Sequence, residues 1–106
     1  FRKGQDGKFL WPGFAENMRV IQWIVGQLEG EDSSLPTAIG SVPKADHLNL
    51  EGLDITAEQL TEVLDVDRES WVNEADDIAQ FFTTFGDRLP EELTTELENL
   101  TSRLRA

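Results

Sequence analysis

The sequence predicts a mainly helical α+β fold, with about four helices and one or two short strands. Three observations support this fold class. Apolar residues recur at helical spacing in the second half, helix start and stop signals bracket those runs, and only one segment combines β-branched residues with bracketing prolines. A chain of 106 residues suits one domain with a modest core, and it contains no internal repeat.

The first predicted helix covers residues 17–30 and ends near Gly30. Apolar side chains cover most of its circumference, which predicts a helix that is buried on several sides. These side chains are Val20, Ile21, Trp23, Ile24, Val25 and Leu28.

Residues 35–55 are predicted to contain a short strand followed by irregular chain. The stretch PTAIGSVPK, residues 36–44, has the composition of an edge strand, because its prolines cannot donate hydrogen bonds to a neighbouring strand. The leucines between Asp46 and Leu53 follow no clear period, so this part is predicted to be irregular.

Three helices are predicted over residues 56–106. Thr56 and Gln59 form a capping-box pattern, which starts a helix that extends to about Leu64. The next helix has a single apolar face, and the last opens at Pro90, with acidic residues in its first turn and arginines in its last. The two apolar faces consist of Trp71, Ala75, Ile78, Phe82 and Phe85, and of Leu93, Leu97, Leu100 and Leu104.

The net charge of −12 argues against nucleic-acid and anionic membrane partners. Residues 1–19 hold four bases and two acids, a balance of +2, whereas the other 87 residues hold five bases and nineteen acids, a balance of −14. No apolar run approaches the length of a membrane span, and the chain has no cysteine, so a cytoplasmic location is predicted. The chain begins at Phe1 without a methionine, so we expect it to be a piece of a longer protein.

Catalytic and metal-binding patterns are scarce. His47 is the single histidine, and no second histidine stands at a ligand spacing from it, so no metal site is predicted. The sequence contains neither a GxxxxGK[ST] phosphate loop nor a GxSxG elbow, and we expect no catalytic residue in this chain.

Residues 1–17, here called the N-terminal strip, form the one aromatic and locally basic stretch. Its glycines and Pro12 predict a loop, in which Asp6-Gly7 is a turn signal and the following FLW is a candidate short strand. Two interpretations remain open: an aromatic plug of an ordinary loop, or a binding surface for a base with phosphates attached. The aromatic residues are Phe1, Phe9, Trp11 and Phe14.

The string FRKGQDGKFLWPGFAENMRVIQWI resembles the guanine-binding region of GTP-dependent phosphoenolpyruvate carboxykinases. PTAIGSVPKADHLNLEGLDI and RLPEELTTELENL resemble later segments of the same family, so the likeness extends over nearly the whole chain. The resemblance implies the C-terminal part of the nucleotide-binding lobe of a larger enzyme, with residues 1–17 as its guanine-binding loop.

The resemblance also implies roles for individual residues. Phe1 and Phe14 match the two phenylalanines that hold the guanine ring, Phe9 matches a third that lines the pocket, and Asn17 matches the asparagine that reads the base edge. Asn17 also lies where a helix is predicted to begin, so its side chain could instead cap that helix. The family usually reads PGFGEN, whereas Ala15 replaces the second glycine here.

The reaction implied by the family is the conversion of oxaloacetate and GTP to phosphoenolpyruvate, GDP and carbon dioxide in gluconeogenesis. The manganese or magnesium ligands and the phosphate loop are expected upstream of Phe1, so this chain alone is expected to be inactive. The full enzyme is expected to be a monomer, and the fragment to associate through an exposed apolar patch. An acidic helical protein-interaction adaptor is the alternative, and a module that binds single-stranded nucleic acid is a further rival.

Overall fold

The computed structural model describes residues 2–106, which form four α-helices and a two-stranded hairpin. This mainly α architecture confirms the predicted fold class. No helix in the described part of the chain is long and apolar enough to cross a membrane. The elements are α1 (Asn17–Leu28), β1 (Ser34–Thr37), β2 (Gly40–Pro43), α2 (Ala57–Leu64), α3 (Arg68–Thr83) and α4 (Glu91–Arg105).

The chain divides into two compact units. The first contains α1, α2 and most of the hairpin, and it ends at Asp65. The second contains α3 and α4 together with Thr37–Gly40, the turn of the hairpin. The N-terminal strip therefore belongs to the first unit.

Helix α1 begins at Asn17 as predicted, but it ends at Leu28, two residues before the predicted end, and it lacks the predicted burial. Its end is marked by Gly30, which adopts a φ of 95° that favours glycine. Gly26 is its one buried residue in the described chain, and Leu28 is 84% exposed. The expectation of burial on several sides is thus wrong within residues 2–106, because few of the other described side chains cover this helix. The exposed apolar patch expected from the resemblance is present, and its members are Met18, Ile21, Ile24, Val25 and Leu28.

The single edge strand predicted for residues 36–44 is a hairpin of two strands. The chain reverses after Thr37, whose hydroxyl donates to the carbonyl oxygen of Gly40 over 2.6 Å and accepts from the backbone N–H of Ile39. Gly40 has a φ of 125°, a conformation that residues with a Cβ rarely adopt. The prediction of one strand was wrong because it missed the two-residue turn at Ala38 and Ile39, which separates the two strands.

The capping box at α2 forms as predicted. The side chain of Thr56 accepts from the Gln59 backbone N–H at 3.1 Å, and the Gln59 side chain accepts from the Thr56 backbone N–H at 2.9 Å. Two backbone donors that the helix cannot satisfy are therefore satisfied at its start. Leu60, one turn into the helix, is only 2% exposed.

Replacing Thr56 by alanine should lower the free energy of unfolding by about 1 kcal/mol, because the cap is lost while the buried face of α2 remains. Urea denaturation of the variant measures this change. Thr61→Ala is the matched control, since the Thr61 hydroxyl donates to the Ala57 carbonyl oxygen inside the same helix and caps nothing. A Thr61→Ala loss as large as that of Thr56→Ala would contradict a specific capping role.

Helices α3 and α4 pack against each other in the second unit. Asp67 caps the start of α3 by accepting from the Ser70 backbone N–H at 3.0 Å. Ala75 and Leu104, one from each predicted apolar face, are buried as predicted, and each is 3% exposed. Phe85 departs from the predicted face, because α3 ends at Thr83 and the Phe85 side chain remains 40% exposed.

Candidate functional site

The N-terminal strip begins with a tight loop that brings residue 3 to residue 9. Lys3 and Phe9 form an isolated antiparallel bridge, and the Gly4 backbone N–H donates to the Lys8 carbonyl oxygen at 2.9 Å. Gly7 occupies the turn with a φ of 76°, as the Asp-Gly signal predicts. The candidate strand FLW reduces to this one bridge at Phe9, because the backbone bends at Leu10 and Trp11.

Phe9 is held at the surface of this loop. Its ring is 58% exposed, and the Lys3 ammonium lies 5.2 Å from the ring centroid. A cation over an aromatic face at this distance gives a modest electrostatic attraction. Phe9 can therefore present apolar surface beside a positive charge. Phe1, the other predicted pocket residue at this end of the strip, lies outside the described residues.

Phe14 has the most unusual conformation in the strip. It has a φ of 50°, and among the described residues it is the only one other than glycine with a positive φ. Gly13, directly before it, has a φ of 74°. The Phe14 side chain is 95% exposed. A bulky residue with a positive φ costs on the order of 1–2 kcal/mol of stability. An exposed phenyl ring does not offset this cost, because it buries little apolar surface.

Asn17 is oriented by a neighbouring aromatic residue. Its side-chain oxygen Oδ1 accepts a hydrogen bond from the Trp11 indole Nε1 at 3.0 Å. Glu16, and not Asn17, occupies the cap position of α1, and no side chain caps that helix. The capping alternative for Asn17 is therefore wrong, because Asn17 already lies inside the helix and its side chain is turned to the indole.

Ala15 fits the backbone without strain. It lies in the short 3-10 turn Phe14–Glu16, and its φ is not positive. The glycine usual at this position in the family is therefore not needed here for its conformational freedom. The Ala15 methyl group lies on the wall of a shallow groove that Met18 and Gln22 also line.

Arg19 connects α1 to the loop that follows the hairpin. Its guanidinium donates to the carbonyl oxygens of Asn49 and Glu51, each at 2.8 Å, and pairs with the Glu16 carboxylate. The side chain of Arg19 is 18% exposed. The spacing of three residues from Glu16 could have indicated the ion pair, but no signal in the sequence indicated the two carbonyl acceptors.

Two of the four bases in residues 1–19 form ion pairs and hydrogen bonds inside the first unit. Besides Arg19, Arg2 donates to the Asp65 carbonyl oxygen and lies 3.7 Å from the Asp65 carboxylate. The other two bases are Lys8 and Lys3, whose ammonium lies over the Phe9 ring. The positive charge predicted for this stretch is therefore partly neutralised by contacts inside the first unit.

His47 pairs with its neighbour and forms no ligand cluster. Its Nδ1 lies 2.8 Å from an oxygen of Asp46, and this hydrogen bond holds the pKa of the Asp46 carboxyl below its ordinary value. Within residues 2–106, no group of three histidine, cysteine or acidic side chains could hold a metal ion.

Fold and site together define a mainly α segment whose N-terminal loop presents the exposed side chains of Phe9 and Phe14. The family model of the phosphoenolpyruvate carboxykinase C-terminal P-loop domain matches residues 1–103 of this sequence. The chain therefore belongs to the GTP-dependent phosphoenolpyruvate carboxykinase family.

Curated relatives carry the same family name. The chain is 47% identical over 104 residues to the phosphoenolpyruvate carboxykinase (GTP) of Renibacterium salmoninarum, covering 98% of this chain and 17% of that protein. It is 40% identical over 106 residues to that of Corynebacterium glutamicum, covering 100% and 17%. It is 41% identical over 106 residues to that of Chlamydia caviae, covering 99% and 18%. The chain thus spans less than a fifth of the length of these relatives.

Proposed function

We propose that this chain supplies the guanine-base pocket of a GTP-dependent phosphoenolpyruvate carboxykinase. The parent enzyme converts oxaloacetate and GTP to phosphoenolpyruvate, GDP and carbon dioxide, and it serves gluconeogenesis in the cytoplasm as a monomer. The names of the relatives support the nucleotide and the product, and the strip supports the place where the base is bound.

The exposure and the backbone conformation of Phe14 are the main support for this proposal. A ring that is 95% exposed at a φ of 50° stabilises the described chain neither by burial nor by a relaxed backbone. A purine stacked on the ring would bury its exposed face. The strained backbone already holds the ring in the exposed position that such stacking needs. Strain of this kind is commonly kept at ligand-binding positions.

The base edge is the second part of the proposal. Stacking does not distinguish guanine from adenine, because every base has an aromatic face. Asn17 lies three residues after Phe14, at the first position of α1, and its amide carries hydrogen-bond donors that guanine can use. We therefore assign affinity to Phe1, Phe9 and Phe14, and the choice of base to Asn17.

The chemical steps are assigned to other parts of the protein. The described residues offer no cluster for manganese or magnesium, so the residues present do not fit a metal centre and we assign no metal step to them. The exposed apolar side chains of α1 also suit a role as part of a larger protein, in which the remaining polypeptide covers them.

Asn17→Ala in the full-length enzyme should raise the Michaelis constant for GTP about fivefold, since one hydrogen bond to the base is lost. The Michaelis constant for oxaloacetate should stay within a factor of roughly two, because the lost hydrogen bond affects the binding of GTP alone. Steady-state kinetics with each substrate varied in turn measures both constants.

Asn49→Ala is the matched control for this experiment. The Asn49 side chain accepts from the Glu51 backbone N–H at 3.0 Å and lies outside the strip, so neither constant should change. Equal rises of the GTP and oxaloacetate constants in Asn17→Ala would count against a base-binding role.

A further inference from the structure

Trp11 has a polar contact that the proposed function does not yet use. Its indole Nε1 donates to Asn17 Oδ1 at 3.0 Å, and this bond joins the loop of the strip to the first turn of α1. Among residues 2–106 no other hydrogen bond to the Asn17 side chain is present. The two amide ends of Asn17 therefore differ: the oxygen is engaged by the indole, and the Nδ2 donors remain available.

We propose that Trp11 is a positioning residue that fixes the Asn17 amide so that Nδ2 faces the nucleotide base. This arrangement selects purines with an oxygen at position 6, such as guanine and hypoxanthine, over purines with an amino group there. The inference rests on the proposed function, because it assigns a specificity device to the same base-binding site.

The selection follows from the polarity of the amide. An asparagine side chain can rotate by about 180°, which exchanges a donor end for an acceptor end at little intrinsic cost. A 6-oxo purine requires the donor end, and a 6-amino purine requires the acceptor end. A side chain that is free to rotate would serve both bases.

The indole removes this freedom. Rotating the Asn17 amide would bring its Nδ2 hydrogens against the Trp11 N–H, so that two donors would face each other and one hydrogen bond would be lost. Indole N–H is a donor only and cannot reverse its role, unlike a hydroxyl or a neutral imidazole. The tryptophan ring is half-buried, and Pro12 restricts the backbone directly after it. The donor is thus held on a restrained segment.

Trp11→Phe in the full-length enzyme tests the inference, because it removes the N–H and keeps an aromatic ring. The ratio of kcat/KM for GTP to that for ATP should fall about fivefold, the worth of one ordinary hydrogen bond. The ratio of GTP to ITP should stay unchanged, since both bases carry oxygen at position 6. The Michaelis constant for oxaloacetate should also stay unchanged.

Trp23→Phe is the matched control. The Trp23 indole donates to the Ser33 carbonyl oxygen at 3.0 Å, so this variant loses the same kind of bond in the same unit. It should lower thermal stability and leave the GTP-to-ATP ratio unchanged. A parallel fall of this ratio in both tryptophan variants would overturn the inference, because it would reflect general loosening.

A double-mutant cycle separates positioning from packing. In an Asn17→Ala background, Trp11→Phe should have no further effect on the GTP-to-ATP ratio, since the amide that the indole orients is absent. A further fall there would overturn the inference. Asn17→Asp keeps an acceptor for Trp11 but has no Nδ2, so it should lose the preference for GTP. A kept preference would show that Nδ2 does not face the base, and it would overturn the inference even if Trp11→Phe does not fold.

The outcomes distinguish this inference from the proposed function. If Asn17→Ala weakens GTP selection and Trp11→Phe does not, the base site stands and the positioning role of Trp11 fails. If Asn17→Ala changes neither GTP affinity nor selection, the base-binding assignment itself fails, and the role of Trp11 fails with it.

Discussion

Replacing Phe14 by alanine in the full-length enzyme should raise the Michaelis constant for GTP between about 5-fold and about 100-fold, as expected for losing one aromatic stack on a base. The constant for oxaloacetate should change little, because that substrate has no part in the stack. Steady-state kinetics measures both constants. The effect is expected to be at least as large as that of the Asn17 change, because one aromatic stack contributes at least as much as one ordinary hydrogen bond.

The fold itself should not suffer from this substitution. Phe14 is 95% exposed, so its removal takes almost no buried surface from the folded state. Phe14→Gly should even stabilise the chain by about 1 kcal/mol, since glycine adopts a positive φ without the steric cost that alanine or phenylalanine bears. Loss of GTP affinity together with gained stability would separate a functional role from a structural one.

Phe81→Ala supplies the matched control for Phe14→Ala. Phe81 is also an exposed phenylalanine, at 60%, but it belongs to the second unit and packs edge-to-face on Phe85 with ring centroids 5.1 Å apart. Its loss should leave both Michaelis constants unchanged. A rise of the GTP constant as large as that caused by Phe14→Ala would refute a specific stack at Phe14.

Arg19→Met should lower the free energy of unfolding by about 3 kcal/mol, because it removes a charge-assisted ion pair and leaves two carbonyl acceptors without their donors. The long apolar stem is kept, so the loss reports the guanidinium and not the packing. Urea denaturation measures the change, provided that the slope of the unfolding free energy against urea concentration is the same in both proteins. Arg19→Lys should recover only part of it, since one ammonium cannot reach all three acceptors as the guanidinium fork does.

Arg2→Met is the control, because it removes similar contacts from a more exposed arginine. Arg2 also bonds to a carbonyl oxygen and a carboxylate, both of Asp65, but its side chain is 41% exposed compared with 18% for Arg19. Water replaces such contacts readily, so the loss should stay below about 1 kcal/mol. Equal losses in the two variants would show that burial does not govern the contribution of Arg19.

Local patterns predicted the elements of this fold well. The capping box at Thr56, the start of α1 at Asn17 and the helical spacing through α3 and α4 all rest on interactions between residues at most four positions apart. Such interactions are visible in the order of residues alone. The prediction of one strand in residues 36–44 was wrong because a two-residue turn inside β-branched sequence resembles a continuous strand.

The candidate base-binding residues were predicted from the resemblance, while the exposure and conformation of those among residues 2–106 needed the structure. The sequence of the N-terminal strip does not tell whether an aromatic ring is buried inside the loop or exposed at its surface, since both arrangements have the same residue composition. The 95% exposure of Phe14 favours the exposed surface at that position. Binding of guanine by Phe14 and Asn17 stays a prediction that the experiments above test, and the roles of Phe1 and Phe9 stay predictions as well.

The sequence by itself determined the helical class, the places where helices start, and the family to which the chain belongs, because these depend on short-range spacing and on residue identity. Only the tertiary structure decided which end of the Asn17 amide is free, what the Arg19 guanidinium joins, and that α1 leaves its apolar side chains exposed. Each of these depends on the direction of side chains after the backbone has turned at Gly13 and at Gly40. No local period encodes that direction.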